Sequence, residues 1–81
     1  MKVDIVVPQV GEAVSEVVLA RWLKRAGDAV KAGEPLFVVD IDKAELEVEA
    51  AEDGVLCEIL APDGSLVLPL DVVGGLDVAD R

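Results

Sequence analysis

The chain has 81 residues, which is enough for one domain and too few for a second hydrophobic core. Its formal net charge is −10, with 17 acidic against 7 basic residues. This balance argues against nucleic-acid binding, which depends on Lys and Arg neutralising phosphates, and favours partners with basic surfaces. No apolar run approaches the roughly 20 residues of a membrane-spanning helix, and no signal peptide is evident. We therefore expect a soluble, intracellular domain.

Catalytic and metal-binding chemistry is limited by what the sequence lacks. There is no histidine, so the usual general base near neutral pH is missing and no Ser–His or Cys–His pair can form. A Cys/His metal site is excluded for the same reason, and no glycine-rich phosphate loop is present. We expect no catalytic residue and no metal site. The single cysteine, Cys57, lies in a strand-like run and is expected to be a buried, inert thiol.

Short valine-rich runs alternate with turn residues along the whole chain. Valine favours pleated strands, and closely spaced short strands are typical of a sandwich or barrel. A helix over residues 14–25 is disfavoured by valines and an alternating pattern. The predicted strands lie near residues 2–7, 16–23, 35–41, 44–50, 54–60, 66–68 and 71–73. We predict an all-β fold, with Gly74-Gly75 in a turn and no strand after it.

A weak internal repeat indicates how these strands are arranged. A shift of 37 residues places Gly27 on Gly64 and Trp22 on Ile59, within two segments of similar pattern. Self-similarity of this kind reports architecture. We predict a flattened β-barrel or sandwich of two similar sheets related by a pseudo-twofold axis. The two glycines are expected in left-handed turn conformations.

Lys43 lies between two strand-like runs, residues 35–41 and 44–50. The second run alternates apolar and acidic residues, the pattern of a half-buried strand. A hairpin joining the runs would carry Asp42 and Lys43 at its tip and expose the lysine amine. From composition alone, Lys43 is either an ordinary solvated turn residue or a site of modification.

The residues around Lys43 resemble a known attachment motif. Asp42-Lys43-Ala44, followed by Glu47-Val48 and then Gly54-Val55, is similar to the lipoyl-attachment hairpin of lipoyl domains. These are carrier modules of the acyltransferase components of 2-oxo acid dehydrogenase complexes. Residues 8–12 and 27–33 resemble the first two loops of that family, and the resemblance extends over about residues 2–74. It implies the lipoyl/biotinyl fold, also called a barrel-sandwich hybrid.

The resemblance implies that lipoic acid is amide-linked to Lys43 and acts as a swinging arm for acyl groups and electrons. The implied partners are a lipoylating enzyme, a thiamine-dependent 2-oxo acid decarboxylase, an acyltransferase core and the flavoprotein dihydrolipoamide dehydrogenase. The implied recognition residues are Asp42, Ala44, Gly11, Glu12 and Glu47. Acidic residues near the tip either form a solvated face or guide basic partners, and the loop of residues 8–15 is either a connector or a determinant of decarboxylase choice.

The chain departs from the family pattern near its end. The family usually has a glycine shortly after the valine of its last turn, whereas Val67-Leu68-Pro69-Leu70 has none, which leaves the strand register over residues 66–76 open. We expect residues 1–76 to form the domain and residues 77–81 to begin a linker to the rest of an acyltransferase. The isolated domain is expected to be monomeric, and the parent to lie in the bacterial cytoplasm or, as an alternative, the mitochondrial matrix.

Three alternatives remain. A biotin carrier domain shares the fold, but its lysine normally lies between methionines, whereas Asp42 and Ala44 flank Lys43. The lipoylated carrier of glycine cleavage is longer and contains helices. An unmodified structural hairpin domain of the same fold would make Lys43 incidental. The sequence does not indicate which 2-oxo acid the parent complex would use.

Overall fold

The computed structural model describes residues 1–9, 17–41 and 43–79. The strands are β1 (Lys2–Val6), β2 (Val17–Trp22), β3 (Ala29–Val30), β4 (Pro35–Ile41), β5 (Ala44–Glu49), β6 (Gly54–Ile59), β7 (Ser65–Val67) and β8 (Val72–Asp77). They form two four-stranded antiparallel sheets. We name β1-β8-β6-β3 the terminal sheet and β5-β4-β2-β7 the hairpin sheet. The described segments contain no helix that could cross a membrane. The all-β prediction is confirmed.

The two sheets are built on the same plan. Exchanging β1 with β5, β8 with β4, β6 with β2 and β3 with β7 converts one strand order into the other. Backbone hydrogen bonds repeat with the shift seen in the sequence: the N–H of Gly27 donates to the carbonyl of Leu56 (2.6 Å), and the N–H of Gly64 donates to that of Leu19 (2.7 Å). Gly27 and Gly64 have φ of 101° and 86°. The predicted repeat and the two left-handed glycines are confirmed.

The hydrophobic core lies between the sheets and consists mainly of small aliphatic side chains. Buried core residues come from seven of the strands and from the segments beside them: Ile5, Val7, Val17, Leu19, Val30, Leu36, Phe37, Val39, Ala50, Leu56, Val67, Val73, Leu76 and Val78. Trp22 packs against one side of this cluster. Its ring lies 4.8 Å from that of Phe37, and its Nε1–H donates to the carbonyl of Ala61 (2.7 Å). The partly exposed indole therefore has its polar atom paired.

Gly74 and Gly75 do not form the predicted turn, because both lie within β8. β8 is an interior strand between β1 and β6, and its backbone at Gly74 is closely approached. A β-carbon on Gly74 would lie 2.7 Å from the carbonyl oxygen of Glu58. These glycines therefore permit close packing of strands rather than a reversal of the chain.

The prediction that no strand follows the two glycines was also wrong. β8 continues to Asp77, and the next residue, Val78, is buried and donates its N–H to the carbonyl of Met1 (2.8 Å). Ordered structure thus continues past residue 76. The two-residue strand β3 was not predicted, since it is too short to produce an alternating pattern.

The prediction of a buried cysteine was wrong as well. Cys57 is exposed, while its neighbour Leu56 is fully buried. Successive side chains of a strand face opposite sides of the sheet, so the residue after an inward-facing leucine points outward. The outer face is itself partly apolar, because Val55, two residues earlier, is also exposed there. The thiol is therefore on the outer surface of the terminal sheet.

Candidate attachment site at the hairpin tip

Lys43 occupies the tight connection between β4 and β5. Ile41 and Ala44 are the last paired residues of the hairpin, and Lys43 directly precedes Ala44 at the reversal. Lys43 is exposed and has φ of 68°. A two-residue hairpin connection often needs this left-handed conformation, even though it costs a residue with a β-carbon about 1–2 kcal/mol. The predicted position of Lys43 at the hairpin tip is confirmed.

The hairpin is anchored by its inner strand. β4 is hydrogen-bonded to β2 on one side and to β5 on the other, and Leu36, Phe37 and Val39 bury it in the core. β5 is an edge strand, yet its pairing with β4 continues from Pro35 up to the residue before the tip. Lys43 is therefore held on a rigid support without packing of its own. Its side chain makes no ion pair or hydrogen bond with any other residue in the described parts of the chain.

The outer face of the hairpin is negatively charged. Glu45, Glu47 and Glu49 alternate along β5 and are exposed, and exposed Asp40 pairs in register with Glu45. Nη1 of Arg21 lies 3.2 Å from Oε2 of Glu45 and offsets part of this charge. The surface beside Lys43 therefore favours the approach of positively charged groups.

Of the five predicted recognition residues, the structure describes two. Ala44 begins β5 directly after Lys43, and Glu47 lies on the outer face of β5, opposite Val38. Asp42, Gly11 and Glu12 lie outside the described residues, as does most of the loop of residues 8–15. The recognition roles of all five therefore stay predictions.

Two acidic residues near the hairpin are less available for recognition than their sequence position suggests. Oδ1 of Asp53 accepts the backbone N–H of Ala32 (2.8 Å), so this carboxylate stabilises a turn. Glu52 is half-buried and also has an interaction partner. The acidic surface beside Lys43 thus consists mainly of residues on β4 and β5.

Comparison with known proteins agrees with this geometry. The sequence model of a family described as "Biotin-requiring enzyme" matches residues 3–73. The chain belongs to this biotin–lipoyl family.

Individual relatives point to the lipoyl branch of the family. The chain is 37% identical over 81 residues to the dihydrolipoyllysine-residue succinyltransferase component of the 2-oxoglutarate dehydrogenase complex of Haemophilus influenzae, covering 100% of this chain and 20% of that protein. It is 38% identical over 71 residues to the dihydrolipoyllysine-residue acetyltransferase component of the pyruvate dehydrogenase complex of Rickettsia bellii, covering 88% and 17%. The chain thus spans about one fifth of the length of these curated relatives.

A solved structure gives the same result. The lipoyl domain of the 2-oxoglutarate dehydrogenase complex from Azotobacter vinelandii has a TM-score of 0.78 and 35% identity, over 95% of this chain and 98% of that chain. The resemblance to lipoyl domains of acyltransferase components is therefore confirmed. The match extends over nearly the whole of that lipoyl domain.

Two features of this lipoyl domain could not be read from the sequence. The contact between Arg21 and Glu45 joins residues on strands that are not adjacent in the sheet, and no local pattern indicates it. The last turn, where the family glycine is missing, is made by Leu70, which has φ of 73°. The register after it is defined, because β8 pairs with both β1 and β6.

Proposed function

We propose that this domain is a lipoyl carrier, with lipoate joined by an amide bond to Nζ of Lys43. The observation that carries the proposal is the isolation of Lys43: an exposed amine at the tip of a rigid hairpin, without a side-chain partner among the described residues. Such an amine fits an acyl group well, because amide formation removes its charge without breaking an ion pair. The lipoyl relatives favour lipoate over biotin as that group.

The role of the chain itself is to hold the amine of Lys43 where other enzymes can reach it. In the amide-forming step, the nitrogen of Lys43 attacks the activated carboxyl carbon of lipoate, the activating group leaves, and the amine loses a proton. Once attached, the group supplies a dithiolane that is reduced as it accepts an acyl group. The anchored β4 strand keeps the attachment point at a fixed place, while the flexible lysine stem lets the group reach an active site on another protein.

The proposed partners are the enzyme that attaches the lipoyl group and the enzymes in whose active sites it reacts. They are a lipoylating enzyme, a thiamine-dependent 2-oxo acid decarboxylase, an acyltransferase core and dihydrolipoamide dehydrogenase. The parent protein would be a dihydrolipoamide acyltransferase, in keeping with the names of the relatives. In this scheme the domain catalyses nothing itself, and the reactions occur in the active sites of its partners.

Intact mass spectrometry tests the attachment. Unmodified protein is incubated with a lipoate–protein ligase, lipoate and ATP, and a gain of one lipoyl group is expected. Lys43→Gln should abolish the gain, whereas Lys31→Gln, which removes another exposed lysine, should leave it intact. Melting temperatures should be nearly equal in all three proteins, because exposed substitutions usually change stability by about 0.5 kcal/mol or less.

Two outcomes would contradict the proposal. Wild-type protein that gains no lipoyl mass, or a gain that survives Lys43→Gln, would remove Lys43 as the attachment site. Efficient labelling by a biotin ligase in a parallel reaction would favour the biotin carrier instead. Reductive acylation of the lipoylated domain by purified decarboxylases, supplied with pyruvate or 2-oxoglutarate, would then identify the parent complex.

A further inference from the structure

A row of side chains crosses the outer face of the hairpin sheet and ends beside Lys43. Leu66 on β7 pairs with Val18 on β2, Val18 pairs with Asp40 on β4, and Asp40 pairs with Glu45 on β5. Along β7, β2 and β4 the neighbours of these residues include the buried core residues Val67, Leu19 and Val39, so these three members of the row face outward. Glu45 is exposed and lies directly opposite Asp40. It is apolar at the β7 end and acidic at the β5 end.

The terminal sheet contains an equivalent row, whose two end residues differ from those of the hairpin sheet. There, Ala29 pairs with Val55, Val55 with Asp77, and Asp77 with Lys2. The valine and the aspartate are the same in both rows. The fold therefore accepts alanine where the hairpin sheet has a leucine, and lysine where it has a glutamate.

Leucines are found at two exposed positions that the fold does not require to be apolar: Leu66 lies in β7, and Leu68 lies just past the end of that strand. Leu66 is 68% exposed and Leu68 is 52% exposed. Their equivalents under the 37-residue shift are Ala29 and Lys31, both exposed. Side chains so accessible contribute little to the core, and adjacent exposed apolar residues are typical of contact surfaces.

We propose that Leu66, Leu68, Asp40 and Glu45, which we name the docking row, form the surface on which the lipoylating enzyme holds this domain while it acylates Lys43. The inference rests on the proposed function. The enzyme surface that fits has an apolar hollow for the leucines beside lysine or arginine side chains for the carboxylates.

The position of Lys43 favours this occupant. An enzyme that acylates Nζ must place its active site over Lys43, but the surface of one exposed side chain is far less than the roughly 800 Å² per partner of a stable interface. Further contact has to come from the surface next to the tip, and Glu45 lies two residues from Lys43. Among the described residues Asp40 has no side-chain partner, so its charge is available to a basic surface.

The two sheets supply matched variants for the test. Leu66→Ala/Leu68→Lys gives the docking row the residues of the equivalent positions in the terminal sheet. Ala29→Leu/Lys31→Leu makes the reciprocal change at those positions. Each variant is incubated with lipoate–protein ligase, lipoate and ATP, and kcat/KM is measured from the rate of lipoyl mass gain, with the melting temperature as a check on folding.

We expect kcat/KM of the docking-row variant to fall about tenfold, mainly through KM, as is usual for loss of a buried interface anchor. The reciprocal variant should retain the wild-type value. Asp40→Asn should lower kcat/KM about threefold at low ionic strength, and its effect should vanish at high salt, because salt screens exposed charges.

Equal kcat/KM in the docking-row variant and the wild type would overturn the inference. So would a loss confined to reductive acylation by a decarboxylase, which would assign the row to that enzyme. Both outcomes leave the attachment site at Lys43 intact. Failure of the wild-type domain to become lipoylated would instead contradict the proposed function itself.

Discussion

Two turns that the pseudo-twofold axis makes equivalent, residues 31–34 and 68–71, have the same backbone and different side chains. In the first, the N–H of Glu34 donates to the carbonyl of Lys31 (3.0 Å), and in the second the N–H of Asp71 donates to that of Leu68 (3.0 Å). The left-handed position is Gly33 in one turn and Leu70 in the other, with φ of 89° and 73°. The fold therefore imposes the conformation on both sequences, including the one that lacks glycine.

The acidic residue that closes each turn repeats as well. Oε1 of Glu34 accepts the N–H of Lys31 (2.6 Å), and Oδ2 of Asp71 accepts the N–H of Leu68 (2.8 Å). Among the described residues, a cation is added only at the first of these two turns, where Nζ of Lys24 lies 3.0 Å from the second oxygen of Glu34. The backbone and carboxylate hydrogen bonds, which both turns share, therefore define the conformation. Glycine relieves the strain of the left-handed residue, and the ion pair adds stability to the first turn.

A larger difference between the two sheets lies in the core and at its margin. The equivalents of Trp22 and Phe37 are Ile59 and Gly74, so one half has two aromatic rings where the other has a small pair. The halves compensate for each other, because the ring of Trp22 lies over Gly74: a β-carbon there would be 3.1 Å from the Trp22 ring. The pseudosymmetry thus holds for the backbone and is broken by complementary side chains.

The largest loss of stability is expected from a substitution at the contact between Gly74 and the Trp22 ring. Gly74→Ala would place its methyl group 2.7 Å from the carbonyl oxygen of Glu58 and close to the Trp22 ring. Strands or ring must shift, and overpacking of this kind costs about 2–3 kcal/mol. Urea unfolding measures the free-energy difference. Gly33→Ala, where the added carbon meets nothing within 4 Å, is the control and should cost less; the reverse order would contradict the close packing.

The second-largest loss of stability is expected when turn 31–34 is given the residue that turn 68–71 has at the left-handed position. Gly33→Leu forces a β-carbon into the left-handed region without a steric clash, so the cost is conformational and amounts to about 1–2 kcal/mol. Ala32→Leu, at an exposed neighbouring position, should be nearly neutral. Equal unfolding free energies for the two variants would show that φ at residue 33 is not constrained.

The reciprocal change should stabilise the protein. Leu70→Gly relieves the left-handed strain at a side chain that is 62% exposed and so loses little burial. The gain is partly offset by the greater freedom of glycine in the unfolded chain, leaving about 0.5–1 kcal/mol. Leu68→Gly, two residues earlier and without positive φ, is the control and should not stabilise. A lower melting temperature for Leu70→Gly would mean that its side chain packs more than its exposure indicates.

Much of the fold could be predicted because its signals are local or repeated. Alternating residues in β5 located the hairpin and hence Lys43, and the match of Gly27 with Gly64 indicated the paired sheets. The β8 glycines were misassigned because a glycine that turns the chain and one that admits a neighbouring strand look alike in sequence. Only the approach of Glu58 to Gly74 distinguishes them.

Contacts at the candidate site were harder to predict because they join distant parts of the chain. The row that links Leu66 to Glu45 depends on the register of three strand pairs, which no single segment determines. The exposed side of Cys57 likewise follows from which face of β6 meets the core. Motifs therefore indicate the attachment residue, while its surroundings require the tertiary structure.

The smallest expected change is in the pH dependence of stability, and it comes from the ion pair between Lys24 and Glu34 in turn 31–34. The hydrogen bond from Lys24, and then that from the N–H of Lys31, lower the pKa of Glu34 below its ordinary 4.5. Because the folded-state pKa is depressed, this stabilisation is complete above pH 4.5 and is lost as the pH falls through the folded-state value. Melting temperatures measured from about pH 6 to about pH 3 should therefore fall less steeply for Glu34→Gln than for the wild type. Lys24→Gln removes the main cause of the shift and should reduce the slope in the same direction, whereas slopes identical to the wild type in both variants would show that the pair adds nothing to the turn.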